Sequence, residues 1–495
     1  MNESKLTAPV AVTGGDIRGY YTADGAVKVY LGVPYGKAPA GELRFREAQP
    51  PEPWAGVRDC LTFGLNAIQE KQAPFFVWTE EFIIRDTGYG EDCLNLNIWT
   101  AEDGQTGKPV LVYLHGGGFS TGGSSCEIYD GEAMARKGIV FLSFNHRVGT
   151  PGLYCSEELD AESPTGTSGS YTLLDELTLL RWVRDNIASF GGDPTRVTLM
   201  GQSSGGAEIN ALCVSPLAKG LFSQAFVMGL SNYRMPTQPC DWKSAAEVKA
   251  HRAFPELSLT QLRAADASLF LQGEPMRYLT LDGHVLDVGF NEGVDGGRTK
   301  GIRMLLGMVR DDAVVTDALT PSPARNPQRT GEDFLQTLHE SFGPLYDEAA
   351  ALYDLETENY IPVMMQMNQD YLLASNLAVA DSRSQTGSGD TLLYLFNHVM
   401  PGPMSEMAGV FHSSEIPYFL DTLSDRRREL WQEKDRELAS RLSDGLARFV
   451  KGELPEPDWL PSENGEYRLL SDDVIGTVSF PAEKLSFWMK AFSRG

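Results

Sequence analysis

Long apolar runs are missing from this chain. Nothing in its 495 residues approaches the roughly 20 consecutive apolar side chains that a membrane-spanning helix needs. Positive charge is scarce as well. With 42 Lys and Arg against 67 Asp and Glu the net charge is −25, a balance that suits neither the nucleic-acid backbone nor an anionic membrane surface. Six cysteines (Cys60, Cys93, Cys126, Cys155, Cys213, Cys240) lie scattered without a C-x-x-C pair or a nearby histidine, which argues against zinc. The opening stretch "MNESKLTAPVAVTGGDIRG" lacks the basic start and apolar h-region of a secretory leader. Asn2-Glu3-Ser4, at the extreme terminus, is the one N-x-[ST] triplet. The expectation is a cytoplasmic protein; the alternative is a secreted one whose leader has been removed.

What remains is the composition of a globular protein with ample material for a core, 42% hydrophobic and 22% charged. Short apolar runs alternate with helical patterns and no repeat is visible, which predicts an α/β fold with a mostly parallel sheet wound by helices. "PVLVYL" (109–114) and "GIVFLSF" (138–144) read as strands buried on both faces. "TLLDELTLLRWVRDNIASF" (172–190) reads as an amphipathic helix, with Leu173, Leu177, Leu180 and Ile187 on the helical period and "FGGDP" as its stop. Further strands are expected at 196–200, 225–229, 302–307 and 391–396. "TPSPARNPQRT" (320–330) reads as an exposed loop. The expected organisation is one domain over 5–495, with cap-like insertions around 61–90, 241–300 and 314–390.

"RVTLMGQSSGGAEI" (196–209) carries the first sign of chemistry. Gly201-Gln202-Ser203-Ser204-Gly205 fits G-x-S-x-G, with a strand before it and a helix after. Such a turn forces its central residue into strained backbone angles and projects that side chain from the sheet edge. Ser203 is central. Serine is a weak nucleophile and needs a base, an orienter and donors for the oxyanion. The donors are offered by "YLHGGGF" (113–119), where successive glycines leave amides unobstructed. Gly117, Gly118 and the amide of Ser204 are the candidate oxyanion hole. A phosphate-binding glycine loop is the competing reading, disfavoured because no G-K-[ST] follows.

Taken together these motifs resemble the type-B carboxylesterases, the cholinesterase-like branch of the α/β-hydrolases. "VYLGVPYGKAPAGELRF" (29–45), "EDCLNLNIW" (91–99), "HGGGF" (115–119), "NHRVGTPGL" (145–153) and the segment 173–206 resemble family motifs in family order. "LDGHVL" (281–286), "GMVRDDA" (307–313) and "FHSSEIPYFL" (411–420) continue the match. The resemblance implies an α/β-hydrolase fold with helical cap insertions and a Ser–acid–His triad. His412 matches the family's histidine. The family's glutamate position falls on Asp312, with Asp311 as the neighbouring alternative.

The same resemblance marks departures. Gln202 stands where a glutamate is common, and Ala67 where the family often places the cysteine that pairs with the one at Cys93. Cys60 is the nearest substitute in sequence. Arg44 with Glu91 and Arg147 with Asp175 match architectural ion pairs. Glu415, three residues after His412, suggests H-x-x-E, but two ligands are too few for a metal. No metal and no other cofactor is implied.

The implied reaction is hydrolysis of a small-molecule carboxylic ester through an acyl-enzyme, with no nucleic-acid partner. The segment 72–82 offers Phe75, Phe76 and Trp78 as aromatic pocket walls, with Phe119 from the glycine loop; ordinary core is the alternative. An aromatic wall suits apolar or aromatic esters or lactones. An inactive binding or adhesion protein on the same fold is the rival from another class, and an acyltransferase or lactonase the rival sharing the triad. Oligomeric state is not legible.

Overall fold

Strand Lys108–Leu114 shows how the sheet is built. Val110, Val112 and Leu114 face one hydrophobic cluster, whereas Leu111 and Tyr113 face a second on the opposite side, as the two-residue period of a strand requires. The computed structural model describes residues 5–75, 77–229, 242–250, 254–273, 276–312, 330–355, 360–402, 408–472 and 474–493.

The main sheet has 11 strands. In chain order they are β1 (Tyr20–Tyr21), β2 (Val27–Pro34), β3 (Asn95–Ala101), β4 (Lys108–Leu114), β5 (Val140–Phe144) and β6 (Gly192–Gln202). There follow β7 (Gln224–Met228), β8 (Arg303–Val309), β9 (Thr391–Asn397), β10 (Glu466–Ser471) and β11 (Ile475–Ser479). In space the order is β11-β10-β9-β8-β7-β6-β4-β5-β3-β2-β1. From β5 through β10 every neighbour pair is parallel; both margins turn antiparallel. This is the fold class read from the sequence, and the expected strands are all present.

Helices cover both faces. On one side lie α1 (Tyr171–Asn186), α2 (Ser204–Val214) and α3 (Tyr360–Thr386). On the other lie α4 (Ile416–Leu420) and α5 (Glu433–Val450), where Leu438, Leu442 and Leu446 repeat at four-residue intervals to bury one face. No helix among the described residues is long and apolar enough to cross a membrane.

Two expectations change in detail. Helix α1 ends at Asn186 and passes into a 3-10 turn, Ile187–Phe190. It is not simply amphipathic, because Asp175 and Glu176 are buried along with its leucines. The region 241–300 holds short helices and also a small parallel ladder, Trp242–Ser244 against Leu279–Leu281. Of the loop expected over 320–330, only Thr330 is described, as the N-cap of Gly331–Phe342.

Candidate active site

The carboxyl ends of the parallel strands, where open α/β sheets hold their ligands, are where the site residues read from the sequence lie. Strand β6 ends at Gln202 and α2 starts at Ser204, so Ser203 alone makes the turn. Its backbone sits at φ 59 and ψ −129. A non-glycine residue held there costs on the order of 1–3 kcal/mol, and the neighbours sustain it: Ser203 N donates to Met228 O at 3.0 Å, and Ser203 O accepts from Ala207 N at 3.1 Å. Ser203 flanks α2 without capping it through its side chain, which leaves the hydroxyl uncommitted to the helix.

Strand β4 runs directly into the glycine loop. A side chain on Gly205 would collide with the carbonyl of Leu114, and one on Gly116 would lie 2.6 Å from Gln202 O and 3.0 Å from Ser203 Cβ. The loop and the elbow are therefore in direct contact. Gly117 adopts φ 134, and its carbonyl accepts from Thr121 N at 3.1 Å and Thr121 Oγ1 at 2.9 Å, which holds the loop's curl. Among the described residues the amides of Gly117, Gly118 and Ser204 donate to no protein acceptor.

His412 and Asp312, 100 residues apart, meet at 2.9 Å through Nδ1 and Oδ1, with Asp312 fully buried. The adjacent Asp311 is engaged elsewhere. Its carboxylate pairs with Arg310 at 2.6 Å and accepts from Val410 N at 2.8 Å. Of the two candidate acids, Asp312 is the one that reaches the imidazole.

Gln202 completes the group. Its carboxamide nitrogen lies 3.0 Å from His412 Nε2 and its oxygen accepts from Ser413 Oγ at 3.0 Å. The same nitrogen is 3.3 Å from Nδ1, so it lies against the ring; the carboxylate of Asp312, 2.9 Å from Nδ1, favours the tautomer with its proton on Nδ1. The Ser203 hydroxyl makes no hydrogen bond to His412 in this arrangement. Glu415 is a neighbour whose importance the H-x-x-E spacing alone did not reveal. It is fully buried, neither oxygen is hydrogen-bonded by another residue, and burial pushes its carboxyl up to about 8, opposed by its own backbone amide and by His412 and aided by the charge of Asp312.

The aromatic candidates separate. Phe119 is buried, at φ 60 beside the glycines. Trp78 packs against the cluster that contains Phe82 and Phe411. Phe75 is 70% exposed and stacks on Trp78 with ring centroids 6.3 Å apart, so it stands on the surface. Phe76 lies outside the described residues, as do Cys240 and Ala313. Cys60 and Cys93 are both buried free thiols, so Cys60 does not take the place of the missing partner of Cys93. Arg44–Glu91 and Arg147–Asp175 are formed at 2.5 and 2.6 Å.

Sheet order and elbow together are those of an α/β-hydrolase. Residues 7–488 match the pattern of the carboxylesterase family, and the chain belongs to that family; it is a carboxylic ester hydrolase. It is 32% identical over 411 residues to the fumonisin B1 esterase of Sphingopyxis macrogoltabida, covering 81% of this chain and 73% of that protein. It is 31% identical over 460 residues to the para-nitrobenzyl esterase of Bacillus subtilis (strain 168), covering 89% and 84%. Among solved structures a PNB esterase superposes with a TM-score of 0.78 at 26% identity, over 97% of this chain and 99% of that one.

Proposed function

We propose that the protein hydrolyses small-molecule carboxylic esters through an acyl-enzyme, with Ser203 as nucleophile, His412 as general base and Asp312 as its orienter. The carbonyl carbon is attacked by Ser203 Oγ while His412 Nε2, released from Gln202, takes the hydroxyl proton. The oxyanion is met by the amides of Gly117, Gly118 and Ser204, each such donor being worth about 2.7–4 kcal/mol in the transition state. The C–O bond to the alcohol breaks as His412 returns the proton to it. Water, deprotonated by His412, then attacks the acyl-serine, giving the acid and restoring Ser203.

The observation that carries this reading is the 2.9 Å contact between a fully buried Asp312 and His412, next to a serine held in the strained turn. Labelling by a fluorophosphonate probe tests it. We expect stoichiometric labelling of the full chain and none in Ser203→Ala; an unlabelled wild-type protein overturns the reading. For substrate we propose apolar or aromatic esters or lactones, supported by the aromatic Phe119 within the glycine loop. A panel of aliphatic, aromatic and cyclic esters tests this, and a preference for short polar acids contradicts it.

A further inference from the structure

Behind the glycine loop, on the face of the sheet covered by α1 and α2, three side chains from distant segments converge in the interior. His146 follows β5, Glu176 lies on α1 and Glu208 on α2; each is at most 1% exposed. His146 Nδ1 lies 4.0 Å from Glu176 Oε1, and His146 Nε2 lies 3.7 Å from Glu208 Oε1. Taking one ligand atom from each residue, all three lie within 4.8 Å of one another.

His146 Nδ1 has no hydrogen-bond partner, and no donor from the rest of the protein meets the carboxylate oxygens of Glu176 and Glu208, which hydrogen-bond only to each other when one of them holds a proton. The nearest cation in sequence, Arg147, is engaged by Asp175 through contacts of 2.8 and 2.6 Å. Two carboxylates without a counter-cation in the interior are costly, by several kcal/mol per ion even after relaxation. Something must neutralise them. Burial raises both carboxyls well above the usual range, which is the behaviour of a pair that retains protons when no cation is near. One imidazole and two carboxylates also compose a donor set for a small divalent cation, whose charge would balance the two carboxylates.

We propose that His146, Glu176 and Glu208 form a structural site for a divalent transition-metal ion such as Zn²⁺ or Mn²⁺. Bonds of about 2.1 Å in a tetrahedral site set ligand atoms about 3.4 Å apart; one ring nitrogen and one oxygen of each carboxylate already lie within 4.8 Å of one another, so binding closes the set by at most about 1.4 Å. The imidazole nitrogen favours such ions over Mg²⁺ or Ca²⁺, which take oxygen ligands. The ion would tie α1, the helix behind the nucleophile and the loop after β5 together. His146 also stacks on His115 at 4.3 Å with rings 7° from parallel, so the site abuts the residue that starts the glycine loop. Its role is mechanical, and hydrolysis does not pass through it.

The test is metal analysis of the full-length protein expressed in Zn²⁺- and Mn²⁺-supplemented medium and dialysed against metal-free buffer, alongside Glu176→Gln and Glu208→Gln. We expect about one equivalent of metal in the wild type and less than a tenth in either variant. Chelator should lower the melting temperature of the wild type and leave both variants unmoved. Should one variant fail to fold, the other and the wild-type response to chelator still decide. A wild type with less than a tenth of an equivalent overturns the site in favour of a proton-sharing carboxyl pair. Metal retained equally by both variants also overturns it.

Discussion

Gln202 lies across the imidazole of His412: its amide nitrogen is 3.0 Å from Nε2 and 3.3 Å from Nδ1. Because Ser413 Oγ donates to the other end of the same carboxamide at 3.0 Å, the side chain is fixed at both ends. Replacing Gln202 by Glu removes the donor and sets a negative charge beside the ring, which favours imidazolium. The acid limb of the kcat/KM profile should move up by about one pH unit. A pH–rate series on a nitrophenyl ester checks it, and an unshifted limb counts against this role for the amide.

The two neighbouring aspartates should separate cleanly by kinetics. Asp312→Asn leaves Nδ1 facing an amide and should lower kcat by about 10³–10⁴-fold. Asp311→Asn loosens the contacts to Arg310 and Val410 and should lower the melting temperature while leaving kcat within about threefold. Steady-state rates and thermal melts on both variants decide it; a severe loss of kcat confined to Asp311→Asn reverses the assignment.

Glu415 makes stability depend on pH. Its folded-state pKa, about 8, exceeds the ordinary 4.5, so the folded protein holds that proton more tightly than the unfolded chain. Its contribution is complete below about pH 4.5 and is lost as pH rises through about 8. Glu415→Gln should therefore melt progressively higher than the wild type across this window, and the two should converge in acid. Melting curves from pH 5 to 9 measure it; parallel curves would show that the carboxyl is ionised throughout.

On the opposite face of the sheet, His398 Nε2 contacts Asp435 at 2.8 Å and Tyr418 Oη at 2.9 Å, while Nδ1 reaches Asp472. Burial works against charge on this ring, but the hydrogen bonds to Asp435 and Asp472 outweigh it and raise the pKa. The stabilisation is complete below the ordinary 6.5 and is lost as pH rises through the raised folded value. His398→Gln should cost about 3–5 kcal/mol by stranding a buried carboxylate. The deficit should be largest below pH 6.5 and shrink in alkali. Urea denaturation at several pH values measures this, and a deficit that grows in alkali contradicts it.

Ser203 was readable in the sequence because strand, turn and helix are contiguous, so local chemistry alone defines the elbow. His412 and the aspartate pair came from motif order, and choosing between Asp311 and Asp312 needed Arg310, whose side chain engages one and leaves the other to the imidazole. Phe75 reads as a pocket wall by composition, yet exposure is decided by how the turn around Trp78 packs. Glu176 was hidden for a different reason. On α1 a charged residue reads as the wet side of an amphipathic helix, and only the arrival of α2 and the loop after β5 encloses it. His146, Glu176 and Glu208 belong to three separate segments, so no spacing rule links them.

The collision that any side chain on Gly205 would suffer with the Leu114 carbonyl bears on how this esterase can change. The Ser203 turn and the glycine loop share a seam too narrow for a methyl group, so neither can be shifted without dragging the other. Evolution or an engineer seeking bulkier or smaller esters must leave that seam untouched and make the changes in side chains away from it.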